Sequence, residues 1–176
     1  MLRSRLPKSH SVDYAVTDAG GDYTVHIIVG MDTESRLYVL DLWREQTSSE
    51  KWIEAFCDLV LRWRPLDWAE EQGQIKASIG PFLSRRQHER KAYVNREPFP
   101  TRGDKAVRAQ SIRGRMALER LYVPVHAPWY PAFRAELLSF TAGKHDDQGD
   151  ALGLVGQLLD LMVPADWLRR RCPNGG

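Results

Sequence analysis

Between Tyr23 and Trp63 the spacing of apolar residues changes from every second position to a helical repeat. Tyr23–Gly30 (YTVHIIVG) and Leu37–Trp43 (LYVLDLW) are dense in β-branched and aromatic residues and read as strands, with Asp32–Ser35 as the turn between them. Two strands joined by so short a polar loop predict an antiparallel hairpin or meander. Beyond them Ser48 or Ser49 can cap a helix with Glu50 in its first turn. Trp52, Ile53, Phe56, Leu59, Val60 and Trp63 then form one apolar face, and Pro65 ends it. Strand side chains alternate between two faces, whereas helix positions three and four apart share one. A chain that makes both patterns in succession must cover a sheet with a helix, which commits it to a layered α/β arrangement.

The remaining segments extend that plan. Val12–Val16 alternates loosely and stops at a Gly-rich turn through Asp22. Leu66–Ala69 is a short strand, and a helix is expected over Gln74–Arg90, interrupted or kinked at Gly80–Pro81. Ala92–Asn95 is a further strand, with Pro98 and Pro100 closing a loop. Asp104–Leu118 is a basic helix, Leu121–Val123 a short strand, and Ala127–Pro131 a turn into a helix ending near Leu138. Lys144–Asp147 opens the last helix, whose apolar face carries Leu154, Leu158 and Leu161. There is no internal repeat. Three strands, then alternating helix and strand, then a closing helix predict a mixed β-sheet flanked by helices. The 176 residues suffice for one domain over 11–165, with a polar arm at 1–10 and a basic tail at 166–176.

Several classes are excluded. Cys57 and Cys172 stand far apart outside any CxxC pattern, so no disulfide framework or structural zinc site is expected, and Cys57 reads as a small core residue. No apolar run reaches membrane-spanning length, and Met1–Arg5 lacks the apolar core of a secretory signal, which predicts a cytoplasmic protein. Net charge is only +2, but arginines cluster at Arg85–Arg86, between Arg102 and Arg120, and at Arg169–Arg171. Cations near an acidic site suit a polyanion-binding enzyme, since they hold phosphates that carboxylates alone repel. Solvated helix faces explain the same clusters.

Carboxylates stand where predicted elements begin or end: Asp13 in the first strand, Glu70–Glu71 after a later one, and Asp146, Asp147 and Asp150 at the start of the last helix. Hard ions such as Mg²⁺ and Mn²⁺ prefer carboxylate oxygen, and two of them roughly 4 Å apart can drive phosphodiester hydrolysis. That chemistry needs acids converging from distant segments. Asp147 and Asp150, three apart, share a helix face. Plain helix capping by Asp146 and Asp147, and a solvated loop for Glu70–Glu71, remain open at this point. A carboxylate at a buried strand position such as Asp13 is costly without a metal or cationic partner.

The stretches SVDYAVTDAGGDYTVHIIVG and LYVLDLWR, then WAEEQGQI, PFL, GDKAVRAQS, LYVP, APW and FRAELLSF leading to GKHDDQGDALGLVGQLLD, resemble in that order the nuclease half of phage terminase large subunits, from about Ser11 to Leu161. The resemblance implies an RNase H-like fold and a two-metal endonuclease (Mg²⁺ or Mn²⁺) that cuts concatemeric viral double-stranded DNA during genome packaging. It implies Asp13, Glu71, Asp147 and Asp150 as catalytic carboxylates. Asp22 and Asp146 join them as metal ligands, and Glu70 is the alternative to Glu71. Lys105 and Arg108 match a basic element that implies DNA contact, Arg113, Lys144 and His145 are further candidate DNA contacts, and the portal and small terminase subunit are the implied partners. The chain departs from such subunits in lacking the G-x-x-x-x-G-K-S/T phosphate loop of their ATPase domain. An excised domain and a truncated prophage gene both fit. A junction resolvase of the same fold class, or an inactive remnant that only binds packaging partners, are the competing readings.

Overall fold

In the computed structural model of the chain, residues 8–13, 23–32, 34–72, 74–100, 107, 109–139 and 147–161 are described, with the backbone alone given at 8–13, 72 and 74–78. The elements run β1 (Lys8–Asp13), β2 (Thr24–Met31), β3 (Leu37–Glu45), α1 (Ser49–Trp63), β4 (Asp67–Gln72), α2 (Gln74–Arg90), β5 (Asn95–Pro100), α3 (Gln110–Ala117), β6 (Leu121–Tyr122), α4 (Tyr130–Ser139) and α5 (Asp147–Leu161). Six strands form one sheet in the order β5-β4-β1-β2-β3-β6. The β1-β2 and β2-β3 pairs are antiparallel, and β1-β4, β4-β5 and β3-β6 are parallel. This is the mixed sheet expected from the order of patterns.

Helices cover both faces. On one, α1 and α2 enclose Trp52, Ile53, Phe56, Cys57, Val60, Trp68, Leu83 and Ala92. The apolar face read from sequence is the buried face of α1. The chain leaves α1 through Arg64 in the left-handed region (φ 48°), whose N–H reaches the Val60 carbonyl at 2.8 Å. Ser48 occupies the cap position without a side-chain cap bond. On the opposite face α5 and neighbouring helices bury Val25, Ile27, Val29, Leu37, Val39 and Leu42 against Ile112, Phe133, Ala151, Leu152, Val155 and Leu159. Ala69 and Phe99 join that side by packing on Leu154 and Leu158.

Two close fits matter for α5. Val29 pairs with Val39 and Ile28 with Asp41, so Leu40 is an extra residue. This bulge resets the alternation, and Leu42 rejoins Leu37 and Val39 on the α5 face. A Cβ on Gly156 would stand 2.9 Å from Ile112 Cγ1, so only glycine lets α3 approach α5 this closely.

The structure also moves some sequence boundaries. β1 starts at Lys8, inside the stretch read as an arm. The strand expected at Ala92–Asn95 lies instead at Asn95–Pro100 and contains both prolines. β5 is an edge strand, and prolines two apart direct their missing N–H to one side, which an edge tolerates. Helix α2 runs through Pro81 without interruption, its second half anchored by Leu83 at 1% exposure. Glu70 and Glu71 belong to β4 and not to a solvated loop. The tail at 166–176 and the first seven residues lie outside the described residues.

Candidate active site

The parallel strands β1 and β4 bring two predicted acids to one end of the sheet. Val12 is in register with Glu70, so Asp13 and Glu71 each stand one residue further toward the carboxyl ends of their strands. Such ends are where open α/β sheets place their ligands. Asp13 is also the register partner of Val25, a residue of the α5 face. The side chain of Asp13 lies outside the described residues.

Strand alternation sends the two glutamates to opposite faces of the sheet. Trp68 packs toward α1 and Ala69 toward α5. Glu70 therefore belongs with Trp68 and Glu71 with Ala69. Glu70 is 1% exposed and accepts two hydrogen bonds from Arg96, at 3.0 Å from Nε and 2.8 Å from Nη2. That buried, charge-assisted pair gives Glu70 a structural partner on the far face. Glu71 is the half-buried glutamate of the α5 face.

Helix α5 begins at the same end. Asp147 Oδ2 accepts the backbone N–H of Tyr23 at 3.3 Å. Tyr23 directly precedes β2, which runs antiparallel to β1, so it stands level with the end of β1. Asp147 and Asp150 are 5% and 7% exposed, although both are carboxylates in the first turn of a helix. Capping acids ordinarily stand in solvent, so capping alone does not explain this burial.

The start of α5 is held from outside the helix. Glu136 on α4, 7% exposed, accepts the backbone N–H of Gln148 at 2.5 Å and also the Gln148 side-chain amide. Arg44 on β3 pairs with Glu136 at 3.4 Å and lies over the Tyr23 ring, 3.5 Å from its centroid. Sequence reading singled out neither Glu136 nor Arg44. Glu136 in FRAELLSF has the same signature as any solvated helical glutamate, and no local spacing distinguishes it.

Among the predicted DNA contacts, Arg113 is exposed on α3 and lines a cavity of about 290 Å³ together with Gly149, the neighbour of Asp150. Asp22, Lys105, Arg108, Lys144, His145 and Asp146 lie outside the described residues. Among the described residues no three His, Cys, Asp or Glu side chains are gathered to hold a metal ion. The described part of the centre is Asp147 and Asp150, with Glu71 at the same end and face of the sheet. Their donors are carboxylate oxygens alone, which fits a hard divalent ion such as Mg²⁺ or Mn²⁺. Among the described residues no helix is long and apolar enough to cross a membrane.

Comparison with solved structures places this architecture. The large terminase nuclease of the thermophilic phage G20c, solved with bound zinc, is 17% identical with a TM-score of 0.62, over 85% of this chain and 79% of that one. The nuclease domain of the large terminase subunit of bacterial virus Sf6, solved with manganese and beta-thujaplicinol, gives 10% identity and a TM-score of 0.63 over 87% and 89%. The chain has the RNase H-like fold of large-terminase nuclease domains. The fowlpox virus Holliday junction resolvase shares that fold, with 14% identity and a TM-score of 0.55 over 89% of this chain and 99% of that one. No protein-family model and no curated protein sequence matches the chain.

Proposed function

We propose that this RNase H-like chain is a metal-dependent endonuclease that hydrolyses double-stranded DNA, acting on viral concatemers during phage genome packaging. The burial of two carboxylates, Asp147 and Asp150, at the end of the sheet where β1 and β4 terminate carries the reading. Two carboxylates on one helix start, at the end of the sheet where open α/β folds take their ligands, are the donor type that hard divalent ions prefer, which supports a cation site. The solved terminase nucleases of the same fold, described with zinc and with manganese, support a divalent ion.

Asp13, Glu71, Asp147 and Asp150 would hold the ions, with Asp22 and Asp146 as further ligands. Two Mg²⁺ or Mn²⁺ ions, when bound, supply activation of the attacking water and neutralisation of charge developing on the phosphate. The protein's own part is to orient the carboxylates at the mouth of the sheet and to shield Asp147 and Asp150 from bulk water. Arg113, exposed beside Gly149, would bind a backbone phosphate and offset the negative field of the acids. Lys105, Arg108, Lys144 and His145 are proposed to extend that contact. The portal and the small terminase subunit are the partners this role implies.

A junction-resolving activity is the second reading, favoured by the match over 99% of the fowlpox resolvase. One experiment addresses both. Supercoiled plasmid and a four-way junction are incubated with wild type or Asp13→Asn in Mn²⁺, Mg²⁺ or EDTA. Metal-dependent nicking or linearisation of plasmid that the variant loses supports the packaging nuclease. Cleavage confined to the junction transfers the reading to a resolvase. Folded wild-type protein that cuts neither substrate in either metal removes nuclease activity from this chain and leaves a packaging-partner remnant.

A further inference from the structure

We propose that Glu136 and Arg44 are positioning residues that hold the Asp147–Asp150 pair in a metal-binding geometry. This inference rests on the metal-dependent reading above. It begins with the register of the sheet. Asp13 pairs with Val25, and Val25 pairs with Arg44, so the three stand in one row across β1, β2 and β3. Arg44 thus belongs to the level of the sheet at which the carboxylates gather.

From that row a chain of contacts returns to the same helix start. The Arg44 guanidinium covers the Tyr23 ring, and the Tyr23 N–H binds the Asp147 carboxylate. The other side of Arg44 meets Glu136, whose carboxylate takes both the backbone and the side-chain N–H of Gln148. Asp147 and its successor Gln148 are therefore gripped from two directions by one ion pair. The first-turn amides of a helix have no partners within it, and a Ser, Thr, Asp or Asn at the N-cap ordinarily supplies one. Here the acceptor comes from another helix, twelve residues away, and it is a buried charge that needs its own cation. A cap alone does not require that.

The arrangement has a clear chemical use. Unwinding of the first turn of α5 would separate Asp147 from Asp150, and its rotation would turn both from the strand ends. Because Arg44 neutralises Glu136, Glu136 adds rigidity without adding a competing ligand. Loss of an outer partner of this kind ordinarily lowers metal affinity about 10–100-fold.

The test uses the full chain as wild type, Glu136→Gln and Arg44→Met. Mn²⁺ binding is followed by calorimetry, amide hydrogen exchange at Gln148 in the metal-free protein, and Mn²⁺ dependence of plasmid nicking. Glu136→Gln is expected to weaken Mn²⁺ binding about tenfold and to raise the Mn²⁺ needed for half-maximal cleavage similarly, as removal of an outer partner does. The rate at saturating Mn²⁺ stays within about threefold of wild type, because the ligands themselves are intact. Exchange at Gln148 speeds up, and Arg44→Met moves every readout the same way by less. Unchanged Mn²⁺ affinity in a folded Glu136→Gln, or in Arg44→Met should the first variant not fold, overturns the proposal while leaving the nuclease reading standing. Wild type that binds no Mn²⁺ overturns both, so the two failures are distinct.

Discussion

On the α1–α2 side of the sheet His26 is enclosed by aromatic rings, whereas on the α5 side Asp147, Asp150 and Glu136 are buried, Asp147 and Glu136 against backbone N–H donors. His26 is fully buried, stacked on Trp43 at 5.0 Å between centroids and edge-on to Trp68 at 5.5 Å. Its Nε2–H donates to the Trp52 carbonyl at 3.0 Å. Burial pulls its pKa down to about 4, the bond to Trp52 opposing this only in part. Burial likewise pushes the neighbouring Cys57 thiol up to about 11. This side keeps its isolated titratable groups neutral and tolerates charge there where it is paired, as in Glu70 with Arg96. The other side accumulates acids. A protein interior discharges an isolated ionisable group and keeps a charged one only where something compensates it. Two faces of one sheet following these opposite courses set an apolar layer apart from one that carries the candidate site.

The largest test of that separation is Trp68→Ala. Trp68 is 0% exposed and stands against Phe56 with centroids 4.2 Å apart. Its truncation should cost about 3–5 kcal/mol in denaturant unfolding. Cleavage per folded molecule should be preserved, and a variant that folds but no longer cuts would merge the two layers. Asp147→Asn reverses the pattern. The amide oxygen can still accept the Tyr23 N–H, so stability should stay within about 1 kcal/mol of wild type. Plasmid nicking should fall about a hundredfold or more with loss of a ligand charge. Comparable rates for variant and wild type would remove Asp147 from the site.

The smallest effect is a pH dependence carried by His26. Its folded pKa of about 4 lies below the ordinary value of 6.5, so below pH 6.5 the unfolded chain takes up the proton first. Stability is therefore lost as pH falls through the window from 6.5 to 4, by about 2 kcal/mol at pH 5 and about 3 kcal/mol at pH 4. Urea unfolding of wild type and His26→Gln at pH 7 and pH 5 measures this. The histidine's share disappears in the variant. Equal pH sensitivity in the two proteins would mean that His26 is not held neutral.

Local pattern was enough to find β2, β3 and α1 almost residue for residue, because period and turn chemistry are properties of neighbouring residues. It also placed Cys57 in the core and acids at the start of α5. It misplaced β5, since prolines exclude a strand only where a neighbour needs their N–H, and β5 is at the edge. The ordered motifs pointed to the RNase H-like fold, which the topology and the solved structures share.

What the sequence determined by itself was which segments form strands and helices, and which acids were available for a site. Tertiary structure decided where those acids stand and what they meet. Glu70 and Glu71 are adjacent and chemically alike, and they part only because successive strand residues face opposite layers. Glu136 differs from a solvated glutamate only because folding carries α4 to the first turn of α5 and β3 brings Arg44 beside it. Periodicity is local, but the partner that fixes a charge is brought from far along the chain, and only the packed fold supplies it.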